Sequence, residues 1–279
     1  MHFRWNYEKP TPEQSQVAKE LAAKLCISPV LTSLLVKRGV TTECAAKRFF
    51  RPQLADLINP FVMKDMDIAV ERLNDAMGRK ERILVYGDYD VDGCTAVALV
   101  YKFLRQYYSN IDYYIPDRYD EGYGVSNRGI DYAKQTGVKL IIILDCGIKA
   151  VEEIAYAKSL GIDFIVCDHH MPDEQLPNAV AILNPKQDND PYPFKDLCGC
   201  GVGFKFMQAF AKNNGIPFSR LIPLLDFCAV SIAADLVPVV DENRILAFHG
   251  LKQLNQNPSI GLKAIIDTCG LTGRELSMS

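Results

Sequence analysis

The chain has 279 residues, 48% of them hydrophobic and 23% charged, with a net charge of −3. That length suits one large or two modest domains with a substantial buried core, and the composition is that of a globular protein. No apolar run approaches the ~18 residues of a membrane span. Met1-His2-Phe3-Arg4-Trp5 has no signal-peptide apolar core, so a cytoplasmic location without membrane partners is the expectation.

Charge and cysteine are both unevenly placed. Residues 1–52 carry nine Lys/Arg against four Glu, a local charge of +5, so the acidic excess lies in the remainder. A basic flank beside a cation-filled cleft suits a phosphate polymer without requiring one. The nine cysteines are odd in number and scattered. Cys94, Cys146, Cys167 and Cys228 sit in apolar patterns and read as small buried hydrophobes in a reducing compartment. Cys198-Gly199-Cys200 lacks the second Cys/His pair that structural zinc needs.

In chain order, the first elements are helices over Pro12–Leu25, Ser28–Lys37 and Thr42–Phe49, the last with a start suited to capping. Phe50–Pro60 is irregular, and Asp65–Met77 forms a further helix. This gives a helical preface over residues 1–80, expected to pack on the domain that follows over 81–279. From Arg82 the pattern alternates. Strands fall at Ile83–Tyr86, Ile111–Ile115, Leu140–Leu144, Phe164–Cys167 and Val180–Leu183. Helices at Cys94–Tyr107, Ser126–Gln135 and Lys149–Ser159 lie between them, with a turn around Asp173–Leu176. Unalternating apolar strands joined by helices predict an α/β fold, a doubly wound and mainly parallel sheet flanked by helices. Further helices run from Gly199 to about Lys212, over Leu221–Ala234 and over Glu242–Asn255.

The stretch Gly87-Asp88-Tyr89-Asp90-Val91-Asp92-Gly93 follows the first strand and reads as a loop crowded with like charge. Three carboxylates at alternating positions repel one another unless a cation compensates them, which points to a divalent-metal site. A lone Asp-Gly would mean only a turn. An EF-hand loop needs Glu at its twelfth position, where this chain has Leu99, and helices on both sides. Asp117, Asp145 and Asp168 follow the next three strands. Acids at four successive strand ends point to one crevice at the sheet's C-terminal edge. Asp168-His169-His170 adds imidazole, which together with carboxylate suits Mn²⁺ or a similar ion, or Mg²⁺ where oxygen dominates. Adjacent side chains on an extended segment diverge, so one histidine would ligate and the other face a substrate phosphate. Asp235 closes an apolar helix, as a cap or facing the crevice. Gly199–Gly203 opens a helix without the G-K-[ST] of a P-loop, and is either a packing cluster or a phosphate cradle. Arg118 and Tyr123 lie in the loop after the second strand, suited to a phosphate and a stacked base.

The first acidic stretch, Asp145-Cys146-Gly147, Asp168-His169-His170 and Ala234-Asp235 together resemble the four motifs of the DHH phosphoesterase superfamily. Phe61–Asp67, the loop from Pro116 to Gly124 and Gly199–Lys205 resemble its RecJ-like single-strand-specific exonucleases. The resemblance implies Mn²⁺- or Mg²⁺-dependent 5′-to-3′ hydrolysis of single-stranded DNA in repair and recombination, with two ions per site. Asp145 would bridge the ions, Asp88 and Asp90 would serve the first, and Asp92, His169 and Asp235 the second. Asp168 would orient the histidines, and His170 would contact the scissile phosphate. Single-stranded DNA is the implied partner, with a single-strand-binding protein and a helicase beside it. Alternatives within the superfamily act on oligoribonucleotides, cyclic dinucleotides or pyrophosphate, or bind DNA without catalysis. Members carry a second domain after this one. The chain ends 44 residues after Asp235, so a catalytic part without that domain is expected.

Overall fold

The computed structural model describes residues 8–278, and the N-terminal residues considered above, Met1 to Trp5, lie outside them. The chain divides into two compact units, one ending at Asp56 and one beginning at Leu57. The first holds α1 (Pro12–Leu25), α2 (Pro29–Lys37) and α3 (Glu43–Phe50). Each starts behind a side chain that caps its orphan N–H groups, namely Thr11, Ser28 and Thr42. At Thr11 the bond is reciprocated by Gln14 in a capping box. Leu21, Leu35 and Ala46 form the small core of this unit.

The second unit opens with α4 (Met66–Gly78), ahead of residue 81 where the sequence pattern becomes rhythmic. It continues through β1 (Arg82–Gly87), α5 (Val91–Leu104), β2 (Ile111–Tyr114), α6 (Asn127–Gln135), β3 (Val138–Leu144), α7 (Val151–Ser159), β4 (Asp163–Cys167) and β5 (Ala181–Leu183). The helices α8 (Gly199–Asn213), α9 (Leu225–Ala234), α10 (Asp241–Gln256) and α11 (Ile260–Thr268) follow. The five strands are all parallel in the order β2-β1-β3-β4-β5, with Val85 beside Ile142 and Ile142 beside Ile165. Helices α6 and α7 cover one face, where Leu84, Tyr86, Ile141, Ile143, Phe164 and Val166 point; α4, α5 and α8 cover the other. Burial on both faces is why the strands read as unbroken apolar runs.

Two expectations change. The acidic stretch is not a loop throughout, since α5 begins at Val91 and Asp92 stands in its first turn. Carboxylates at a helix start complement the N-terminal dipole, so a run of acids ending in glycine is as much a helix opening as a loop. Leu221–Leu224 lies in short 3₁₀ turns around Pro223, and α9 starts only at Leu225. Helix α11 is an element the sequence reading did not place, and none of its residues is buried.

Candidate metal centre

The strand order reverses between β1 and β3, the place where open parallel sheets form a crevice beyond their C-terminal strand ends. Asp88 leaves β1 there and Asp145 leaves β3. Asp145 holds a left-handed backbone (φ +60°), its N–H donating to the Cys167 carbonyl at 2.9 Å. Asp90 is the N-cap of α5, its Oδ1 accepting from the Gly93 N–H at 2.9 Å. Gly93 is required for this closure, because a Cβ there would stand 2.5 Å from the Asp88 carbonyl oxygen.

His169 sits at the middle of the crevice, 6% exposed. Its Nε2 lies 3.1 Å from Asp145 Oδ1, 3.7 Å from Asp235 Oδ2 and 3.8 Å from Asp92 Oδ2. Asp235 arrives as the C-cap of α9 and is 29% exposed at its side chain. Two donor sets therefore come together, Asp92 with His169 and Asp235, and Asp145 with His169 and His170. The two imidazoles do not diverge as an extended segment would require: the chain turns after β4, and their ring centroids are 4.6 Å apart. Asp168 lies behind them. Its Oδ1 accepts from His170 Nδ1 at 2.7 Å and from the His169 N–H at 2.7 Å, and its Oδ2 from the Ile148 N–H at 2.9 Å. It therefore orients the His170 ring directly and His169 only through the backbone. Asp88 is buried, with Oδ1 accepting from the Gly124 N–H at 3.3 Å, while Asp90 is exposed. Neither joins a set of three donors within 4.8 Å among the described residues.

Several buried polar atoms here have no hydrogen-bond partner: Asp88 Oδ2, Asp145 Oδ1, and both ring nitrogens of His169. Orphans of this kind are costly, and a divalent cation satisfies carboxylate oxygen and neutral imidazole together. Burial, with the charges of Asp92, Asp90 and Asp168 added, raises the Asp145 carboxyl to about 10. Burial likewise raises Asp88 and Asp92. For Asp168, burial is outweighed by the His170 bond and backbone donors, which bring it below the ordinary carboxylate value. The same bond raises His170. Carboxylates held this high in the absence of a cation are what a site built around positive charge presents. The residues fit a divalent metal.

The glycine-rich start of α8 proves not to be a phosphate cradle. The N–H groups of Gly199 and Cys200 each donate to the Asp92 carboxylate at 2.7 Å, and the Ser231 hydroxyl adds a third bond at 2.7 Å. The anion at this helix terminus belongs to the protein itself. Ser231 escaped the sequence reading because a serine in an apolar helix carries no local signal. Asp117 also leaves the expected crevice: its exposed Oδ1 accepts from the Tyr119 and Asp120 N–H groups and shapes a turn. At the rim, the Tyr123 hydroxyl is 3.4 Å from His170 Nε2. Tyr123 meets Tyr89 edge to face at 6.2 Å, and the Arg118 guanidinium lies 5.2 Å from the centre of the Tyr89 ring. Tyr89 thus links Arg118 to Tyr123, and only its place inside the acidic motif could have signalled that.

A parallel α/β sheet with helices on both faces and a carboxylate–histidine cluster at its switch point defines a doubly wound protein with a metal-fitted crevice. The sequence profile described as "DHH family, N-terminal domain" matches residues 82–232, and the chain belongs to that family. It is 42% identical over 268 residues to the single-stranded-DNA-specific exonuclease RecJ of Bacillus subtilis (strain 168), covering 96% of this chain and 33% of that protein. With its namesake from Escherichia coli (strain K12) it shares 36% over 265 residues, 91% of this chain and 45% of the other. The chain thus spans between a third and a half of the length of these curated relatives. A crystal structure of exonuclease RecJ bound to manganese superposes with a TM-score of 0.71 at 30% identity, covering 81% of this chain and 56% of that one. RecJ from Thermus thermophilus in complex with Mn²⁺ gives 0.78 at 26% identity, covering 94% and 37%.

Proposed function

We propose that this chain is the catalytic part of a divalent-metal-dependent exonuclease that hydrolyses single-stranded DNA from the 5′ end in repair and recombination. The observation that carries the reading is the cluster of buried Asp92, Asp145 and His169 with the partly exposed Asp235, and its orphaned ligand atoms. Its likeness to relatives named as single-stranded-DNA-specific exonucleases supplies the substrate class.

Asp92, His169 and Asp235 would hold one Mn²⁺ or Mg²⁺, and Asp88, Asp90 and Asp145 would serve a second, with Asp145 shared. Bound divalent cations supply Lewis-acid stabilisation of phosphate oxygens and a more acidic water. The protein's own groups do the rest. Asp168 fixes the His170 ring so that its Nε2 edge faces the crevice mouth, where a protonated imidazole neutralises a phosphate oxygen. The α8 N-terminus and Ser231 hold Asp92 in one orientation before any cation arrives. Arg118 offers a guanidinium fork to a phosphate and Tyr123 a ring face to a base. Nine free cysteines agree with action in the reducing cytoplasm. A single-strand-binding protein and a helicase are the partners this reading brings with it.

The test is hydrolysis of 5′-labelled single strands with Mn²⁺ by wild type and Asp145→Asn. Wild type should release mononucleotides, and the variant should be slower by roughly a hundredfold or more, since even groups behind metal ligands are worth 10–100-fold. Equal rates on duplex and single strands, or an active Asp145→Asn, would defeat the reading.

A further inference from the structure

We propose that the recess beside His170 binds the base of the nucleotide attached to the reacting phosphate; this rests on the phosphodiester-cleaving reading of the metal centre. The recess has a volume of about 480 Å³ and is walled by the Tyr123–Val125 loop, the turn after β3, the start of α7 and the segment after β4. That volume lies within the ~300–1,000 Å³ range of small-molecule sites. Its inner wall meets the metal centre at His170, with Asp168 behind that ring. A phosphate held against His170 therefore has its sugar and base within reach of this space.

The chemistry of the walls selects a flat, uncharged ring. Ile148 is buried and Val125 half-buried, which makes the floor apolar. Tyr123 is 57% exposed and Met171 64% exposed, so an aromatic face and a polarisable thioether stand open at the mouth. The polar groups are Asp168 and His170 on the inner wall, and Glu153 and Lys149 at the rim. Glu153 offers acceptors for base N–H groups, and Lys149 is already engaged with Asp173 at 3.0 Å. A site that stacks well and hydrogen-bonds at one edge accepts every base with weak preference, as an enzyme travelling along a strand requires. A neighbouring cavity, lined by Asn127, Asp131, Glu152, Glu153 and Tyr156, is acidic and includes none of the metal-donor residues. It offers nothing to a phosphodiester.

The experiment uses the Mn²⁺-loaded protein and the variants Ala150→Trp, which fills the recess, and Met171→Ala, an exposed position that leaves the fold intact. Substrates are a 5′-phosphorylated oligonucleotide, the same strand with an abasic residue walked along its first three positions, and 1,2-dideoxyribose 3′,5′-bis(methyl phosphate), a small diester with neither a base nor an aromatic ring. Ala150→Trp should lower kcat/KM on the oligonucleotide roughly tenfold while hydrolysing the small diester like wild type, and Met171→Ala should raise KM with little change in kcat. An abasic residue at one position should reproduce the loss in wild type and add nothing in Ala150→Trp. Wild-type rates from both variants on the oligonucleotide, or an abasic penalty equal in wild type and Ala150→Trp, would overturn the proposal. If wild type hydrolyses neither diester, the nuclease reading itself fails.

Discussion

At the scale of single residues, the site depends on approaches that only hydrogen atoms can make. Gly199 is the clearest case, since an added Cβ would stand 2.5 Å from Asp145 Oδ1 and 2.7 Å from its Cβ. Gly199→Ala should therefore push the Asp145 carboxylate off the cluster and destabilise the fold by about 1–3 kcal/mol through overpacking. Urea denaturation and Mn²⁺ titration of the variant check this, and a variant with wild-type stability and affinity would show that the approach is not needed. That carboxylates and histidines would gather at one strand-end crevice was legible in the sequence, because acids at strand ends and a rare His pair are conspicuous. What was illegible is what holds the carboxylates. Nothing local says that Asp92 and the α8 N–H groups, more than a hundred residues apart, would find each other. Asp117 misled for the converse reason: an Asp after a strand has the same local appearance whether it shapes a turn or faces a cation.

Among the elements, α8 and α10 are joined by a buried ion pair. Lys205 Nζ lies 3.0 Å from Glu242 Oε1 and donates to the Ile58 carbonyl at 2.5 Å, while the Tyr192 hydroxyl donates to the other Glu242 oxygen. Both charged side chains are fully buried, and burial lowers the Lys205 ammonium. Breaking such a pair from one side leaves an uncompensated charge, so Lys205→Met should cost about 3–5 kcal/mol and the double variant Lys205→Met/Glu242→Gln should recover part of it. Equilibrium unfolding of the three proteins decides the matter; a double variant no more stable than the single would contradict it. The strands were easy to place, because burial on both faces of a parallel sheet leaves an unbroken apolar signature. The ends of α5 and α9 were not. A helix opening with carboxylates looks like a loop, and a 3₁₀ lead-in around Pro223 shares the apolar composition of the helix it precedes.

For the molecule as a whole, the cluster couples stability, pH and cations. Burial raises Asp88, Asp92 and Asp145, the last to about 10. A raised carboxylate means the native state binds protons more tightly than the unfolded chain, so metal-free stability falls as pH rises above the ordinary value of 3.8. His170, raised by its bond to Asp168, acts in the same sense: its contribution is complete below 6.5 and is lost as pH passes its folded value. Asp168 is lowered, so its contribution disappears only below 3.8, outside the neutral range. A cation requires the deprotonated ligands, so its stabilisation grows as the metal-free fold weakens. The metal-free protein should melt higher at about pH 5.5 than at about pH 8, with the larger Mn²⁺-induced rise in Tm at pH 8 and its loss on chelation. The reverse ranking would break the link. The most direct measurement is Mn²⁺ binding by calorimetry to wild type, His169→Ala and Asp235→Asn. Convergence of these distant side chains on shared cations predicts tight binding by wild type and its loss or severe weakening in both variants, with circular dichroism unchanged. Wild-type affinity in either variant would contradict it.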